Sequence, residues 1–204
     1  NEGNTIRQEI LRGIIAKKAL ERRPDETICY DIRPGRITRD MIVENGGEPS
    51  VTRVGHSLIK AQMIKEDAPF GGESSGHYFF KFPTGTYEAP TLMVLLFLEY
   101  LAEEGVPTDN TVAEVIAPFQ KYHHSGEINS IIEDKDGRIQ ALAECYDDAE
   151  ISFLDGITVE YEDWWFNVRK SNTEPKLRLN LEAVSQDLME EKRDEVLAFI
   201  REEA

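Results

Sequence analysis

The sequence predicts an α/β domain with a mainly parallel mixed sheet and flanking helices, followed by a small α+β domain with an antiparallel sheet. Three observations predict it. Up to Gly105, short β-branched or aromatic runs alternate with helical stretches, the pattern of βαβ units. From Gly126 onward the strands cluster and helices stand at either end. Residues 118–125 carry little periodicity and read as a linker. A chain of 204 residues exceeds the common domain size of ~100–150. Two domains are therefore expected, 1–121 and 122–204.

Each element has a local reason. Ile6, Ile10, Ile14 and Leu20 among Lys and Arg make 5–23 an amphipathic boundary helix, ended by Pro24-Asp25-Glu26. The apolar run 27–32 is a strand, Pro34-Gly35 turns, and 37–44 is a short helix stopped by Asn45-Gly46-Gly47. A second strand covers 49–54, and a helix over 57–65 takes Ser57 as N-cap. Strands at 68–71 and 78–82 flank a glycine-rich loop. A long apolar helix then runs over 88–104, with Glu88 as an acid at its start, and Gly105 closes it. In the second domain a strand (127–132) and a helix (138–146) precede strands at 151–153, 158–161, 164–169 and 176–182. Asp155-Gly156 and Glu162-Asp163 are the hairpin turns, and a final helix starts at Ser185.

Composition removes several classes of function. A net charge of −16 argues against nucleic acid, whose phosphates need a basic footprint. No apolar run is long enough to span a bilayer and no signal peptide is visible. Two distant cysteines, Cys29 and Cys145, form neither a disulfide framework nor a zinc pattern. A reducing cytoplasm is the default, no protein metal ligands are assigned, and Cys145 is read as core. The positive charge is clustered: Arg33, Arg36 and Arg39 stand without an intervening acid, and Arg169, Lys170, Lys176 and Arg178 surround only Glu174. Such clusters on an acidic chain suit a small anion.

Two loops carry chemistry. Gly71-Gly72-Glu73-Ser74-Ser75-Gly76-His77 concentrates a carboxylate, two hydroxyls and an imidazole at a strand end. Ligands of parallel sheets sit at the carboxyl ends of strands, and Arg33 and Gly55-His56 share that edge. Arg169-Lys170-Ser171-Asn172-Thr173-Glu174-Pro175 is either a phosphate cup, with an arginine fork, hydroxyls and amides, or a polar turn. Gly72-Glu73-Ser74-Ser75-Gly76 also fits the nucleophile elbow of serine hydrolases, with His123 or His124 as base. That motif requires a helix after the serine, where 77–82 reads as a strand. Otherwise His123 and His124 read as surface residues of the linker.

The first of these loops resembles the sugar-binding loop of the α-D-phosphohexomutase superfamily (phosphomannomutase/phosphoglucomutase). The second resembles its C-terminal phosphate-binding loop, and Val54-Gly55-His56-Ser57-Leu58-Ile59-Lys60 its Gly-His segment. The three stand in family order and cover essentially the whole chain. The family has four domains, with a phosphoserine loop in the first and an Asp-rich magnesium loop in the second. Neither motif occurs here, and Asn1-Glu2-Gly3-Asn4 resembles the segment following the magnesium loop. The resemblance therefore implies the third and fourth domains of a mutase.

It further implies an isomerase that moves a phosphoryl group between the 1- and 6-positions of a hexose phosphate through a bisphosphate. Mg2+, the phosphoserine and the N-terminal domains would come from the parent protein, a hexose bisphosphate would activate, and the piece alone would be inactive. Glu73 and Ser75 would contact sugar hydroxyls. Arg33 would face the substrate phosphate. Arg169, Ser171, Asn172 and Thr173 would hold the phosphate that is not reacting, and His56 and His77 would act near the reacting oxygen as acid/base groups or hydroxyl ligands. Ser-Asn-Thr in the phosphate loop leans towards phosphomannomutase/phosphoglucomutase members, not glucosamine mutases. The chain departs from the family at 84–90, where an Asp-rich turn is usual. The rival non-catalytic reading is a sugar-phosphate sensor.

Overall fold

The computed structural model describes residues 3, 5–33, 35–171 and 174–202. These residues form two compact units, 1–121 and 122–204.

Unit 1 is a three-layer α/β/α arrangement. Its elements are α1 (Gln8–Arg22), β1 (Thr27–Asp31), α2 (Arg36–Glu44), β2 (Glu48–Thr52), α3 (His56–Glu66), β3 (Phe70–Gly72), β4 (Tyr78–Phe82), β5 (Gly85–Glu88), α4 (Pro90–Glu103) and α5 (Val112–Ile116). The strand order is β2-β1-β3-β4-β5. β1 runs parallel to both β2 and β3, whereas β3–β4 and β4–β5 are antiparallel. Strand alternation sends side chains to two cores. Ile28, Tyr30, Phe70, Tyr78 and Phe80 pack with Ile15 and Leu20 of α1 and Leu96 of α4. Cys29 and Phe79 point the other way, against Ile59 and Met63 of α3. A buried Lys18 on α1 is tied to Glu103 of α4 at 2.7 Å.

The topology positions the site. From β1 the chain crosses through α2 to β2 on one side, and through α3 back to β3 on the other side. The carboxyl ends of β1 and β3 thus open a crevice at a topological switch point, where such sheets place ligands.

Unit 2 comprises β6 (His123–His124), β7 (Ile128–Ile131), α6 (Lys135–Cys145), β8 (Glu150–Ser152), β9 (Ile157–Glu160), β10 (Trp164–Lys170), β11 (Lys176–Ala183) and α7 (Gln186–Arg201). Its sheet is antiparallel in the order β6-β11-β10-β9-β8, with β7 also on β11. Every second residue of the central hairpin (Trp164, Phe166, Val168 and Leu177, Leu179, Leu181) enters one core with Leu142 of α6 and Val196 of α7. The intervening residues, among them Trp165, Asn167, Arg169, Arg178 and Asn180, occupy the opposite face. Asp134 and Ser185 cap α6 and α7 through their side chains.

Several local readings change. The N-cap of α3 is Gly55, and Ser57 lies inside the helix and makes no cap bond. Glu88 ends strand β5, and the helix after it begins only at Pro90; Pro83-Thr84 turns the chain into a hairpin that lacks alternation in the sequence. The stretch read as a linker holds a 3-10 turn over 117–119 and the short strand β6. His123 and His124 stand in β6 on the edge of β11, half-buried, with His123 Nδ1 3.2 Å from Gln186 Oε1. Cys145 is exposed, at the end of α6 and off its apolar face; Cys29 is the buried cysteine. Burial, with Glu66 beside it, pushes the Cys29 thiol up to about 12, so it packs as a neutral group.

Candidate functional site

The glycine-rich loop is a tight β3–β4 connection held by its own backbone. The Glu73 amide donates to the His77 carbonyl (2.9 Å) and the Gly76 amide to the Glu73 carbonyl (3.0 Å). Gly76 has φ +87°, which a side chain would strain. A Cβ at Gly72 would stand 2.9 Å from Arg12 Cγ, so glycine there lets Arg12 of α1 pass to the end of β1.

What Arg12 reaches is Asp31, the last residue of β1. Both side chains are fully buried, and Arg12 Nη1 donates to Asp31 Oδ1 at 2.9 Å. Asp31 also accepts from the Ser74 amide (3.1 Å), from the Ser74 hydroxyl (3.0 Å) and from both Nε and Nη2 of Arg33. Burial alone would raise this carboxyl; Arg12, Arg33 and Ser74 outweigh it and hold it below the usual range. Asp31 thus fixes the glycine loop to β1 and orients Arg33, whose Nη2 lies 3.4 Å from the Ser75 hydroxyl.

Glu73 is nearly covered. Its Oε1 accepts from the Gly55 amide at 3.0 Å, and its Oε2 faces the Ser75 hydroxyl at 3.5 Å. That first bond joins the loop to the N-terminus of α3. His56, the first residue of α3, and His77, just before β4, then meet on one carboxylate. Glu88 lies 3.1 Å from His56 Nε2 and 2.8 Å from His77 Nδ1. The rings stand edge to face with centroids 5.8 Å apart, and Phe79 supports His56 from below. Hydrogen bonds from His77 and then His56 keep the Glu88 carboxyl below its ordinary value.

In unit 2, Arg169 and Arg178 are register partners on β10 and β11. Glu127 bridges them, one oxygen to each guanidinium, and Arg178 Nη2 donates to the Ser171 hydroxyl at 3.3 Å. Ser171 is buried, and its amide donates to the Lys176 carbonyl. The Nε atoms of Arg169 and Arg178 are buried without an acceptor among the described residues. Asn172 and Thr173, expected in the same phosphate loop, lie outside the described residues.

The structure therefore brings Arg33, Glu73, Ser75, His56 and His77 to one edge of unit 1, and Arg169 and Ser171 to one hairpin end of unit 2. Sequence reasoning missed Arg12, Asp31, Glu88 and Glu127. The available signals were a charged residue among the apolar positions of α1 and an acid closing an apolar strand. The helix that a nucleophile elbow needs after Ser74 is absent: β4 follows instead, and Ser74 is engaged by Asp31 and Arg12. No described helix is long and apolar enough to cross a membrane.

Residues 8–122 match the family described as phosphoglucomutase/phosphomannomutase, alpha/beta/alpha domain III, and residues 127–199 match the C-terminal domain of the same family. A phosphomannomutase of Methanocaldococcus jannaschii is 40% identical over 97% of this chain, which spans 43% of that protein. A phosphomannomutase/phosphoglucomutase of Pseudomonas syringae is 35% identical over 93% of the chain and 41% of its own length. Among solved structures, a phosphoglucomutase/phosphomannomutase family protein of Burkholderia thailandensis superposes on the whole chain with a TM-score of 0.81 at 30% identity, over 44% of its own length.

Proposed function

The chain belongs to the phosphoglucomutase/phosphomannomutase family, as its third and C-terminal domains, and on that basis we propose that it is the substrate-recognition half of a hexose-phosphate mutase. The observation that carries this reading is the wiring of the glycine loop. Glu73, Ser75, Arg33, His56 and His77 come from three separate segments and are joined by Asp31, the Gly55 amide and Glu88.

Their chemistry suits a sugar phosphate. Glu73 can accept from hydroxyls in charge-assisted bonds, and Ser75 can donate or accept beside it. Arg33 supplies a guanidinium for a phosphate. In unit 2, Arg169, Arg178 and Ser171 offer a second phosphate cup, with Asn172 and Thr173 next to it in sequence. Holding reactants in place is most of what phosphoryl transfer asks of a protein. His56 and His77 would take the proton from the attacking sugar hydroxyl as its oxygen bonds to phosphorus, and return one to the leaving oxygen on the way back.

The phosphoryl donor and Mg2+ belong, on this reading, to the part of the parent outside this chain. Among the described residues no group of three or more His, Cys, Asp or Glu side chains is arranged to hold a metal. Mg2+ would neutralise charge on the transferring phosphoryl group; this chain's residues bind, orient and move protons.

A coupled assay tests the proposal. The full parent, supplied with Mg2+ and a hexose bisphosphate, should interconvert mannose or glucose 1- and 6-phosphates, and this chain alone should not. A parent inactive on every hexose phosphate would overturn it, as would turnover by the isolated chain.

A further inference from the structure

Among the described residues, Glu88 is the carboxylate that both imidazoles at the edge of unit 1 reach. It ends β5 opposite Phe79 of β4, and the Ala89 amide donates to the Tyr78 carbonyl, so the strand pairing fixes where its side chain starts. From there Oε2 lies 3.1 Å from His56 Nε2, thirty-two residues away, and Oε1 lies 2.8 Å from His77 Nδ1, eleven residues away. Neither contact is local, and the two histidines use different ring nitrogens.

An ionised carboxylate only accepts hydrogen bonds, and Glu88 is held in that form. Each ring nitrogen that faces it must therefore carry a proton. In a neutral imidazole that leaves the other nitrogen as an acceptor. We propose that Glu88 is the positioning residue for both histidines. It fixes His77 as the Nδ1–H tautomer, presenting Nε2, and His56 as the Nε2–H tautomer, presenting Nδ1. The assignment rests on the reading of these histidines as the proton-handling pair, and it adds which atom of each does the work. A carboxylate that selects the tautomer of a working histidine is a recurrent device, and here one carboxylate serves two rings.

His77 is the diagnostic residue, because free imidazole side chains favour the Nε2–H form and Glu88 imposes the opposite one. The test is a long-range 1H–15N spectrum of the imidazoles of this chain at about pH 9, where unperturbed histidines are neutral. The chain has four histidines, and His56→Gln and His77→Gln variants assign the two signals. His77 should show the Nδ1–H pattern and His56 the Nε2–H pattern. In Glu88→Ala, His77 should move to the Nε2–H pattern while His56 keeps its own. Should that variant fail to fold, Glu88→Gln keeps the shape but offers one acceptor and one donor. At least one ring must then change tautomer. An unchanged His77 in Glu88→Ala, or two unchanged rings in Glu88→Gln, overturns the proposal.

In the parent enzyme, Glu88→Ala should lower kcat by about 10–100-fold, the usual cost of losing such an outer partner, with KM little changed. Equal losses in kcat and KM overturn the positioning role. The outcomes separate the two claims. If His56→Ala and His77→Ala leave turnover intact, the functional reading fails even where the tautomers are as assigned. If those variants are inactive and Glu88→Ala alters neither the tautomers nor kcat, only the role of Glu88 fails.

Discussion

Glu73→Ala in the parent enzyme should lower kcat/KM for a hexose phosphate by about 100- to 1,000-fold, corresponding to ~3–4 kcal/mol at 1.36 kcal/mol per decade. The size follows from what the carboxylate does. A hydrogen bond to a charged group contributes ~1.5–3 kcal/mol, and Glu73 is proposed to accept from two sugar hydroxyls. It also accepts from the Gly55 amide at 3.0 Å, which ties the glycine loop to the start of α3 and so to His56. Alanine removes both functions at once. Glu73→Gln keeps one acceptor and the volume, and should lose only about tenfold of the same rate constant. The measurement is initial-rate kinetics on mannose and glucose 1-phosphates. If Glu73→Ala stays within about threefold of the parent, less than 1 kcal/mol, then Glu73 does not read the sugar.

Asp31→Asn should destabilise unit 1 by ~3–5 kcal/mol, the usual cost of breaking a buried ion pair from one side. Asp31 and Arg12 have fully buried side chains, and Asp31 serves Arg12, Arg33 and Ser74 together. The asparagine leaves two guanidinium groups around a neutral amide. Both tryptophans lie in unit 2, so their fluorescence reports that unit, while circular dichroism reports both. The circular-dichroism midpoint in urea should fall sharply and the fluorescence midpoint much less. A pH dependence accompanies this. The folded Asp31 carboxyl is held below its unfolded value, so its contribution is full above about pH 4, the ordinary aspartate range. It is lost as pH falls through the depressed folded value. Asp31→Asn should remove that part of the acid limb. A variant as stable as the original chain would show that the Asp31 cluster is not what anchors the loop.

The layout of the fold was largely legible in the sequence, for a physical reason. The β1–β3 half of unit 1 and the central hairpin of unit 2 have apolar patterns set by burial: continuous in β1, strictly alternating in β11. What escaped was short or held by tertiary pairing. β5 carries Gly85, Thr86 and Glu88 and shows no alternation; pairing with Phe79 and Phe80 of β4 makes it a strand. β6 is two histidines on the edge of β11. In the site, Arg33, Glu73, Ser75, His56 and His77 were readable because glycines and strand ends mark them. Asp31 and Glu88 were not, because, Arg33 beside Asp31 apart, the partners that give them importance stand 11 to 43 residues away. Arg12 and Glu127 share that property: local spacing reveals a polar loop residue more readily than the distant residue that anchors it.

Amide chemical-shift mapping of the isotopically labelled chain, titrated with mannose 1-phosphate and separately with inorganic phosphate, tests the central claim most directly. The sugar phosphate should perturb residues 73–77 and Gly55 in unit 1 and Lys170 and Ser171 in unit 2. Inorganic phosphate should perturb Arg33 and the unit 2 residues without the Glu73 segment. Glu73→Ala should erase the first set and Arg169→Ala the second. Saturating mannose 1-phosphate that moves neither loop, or shifts that persist unchanged in both variants, would contradict the account.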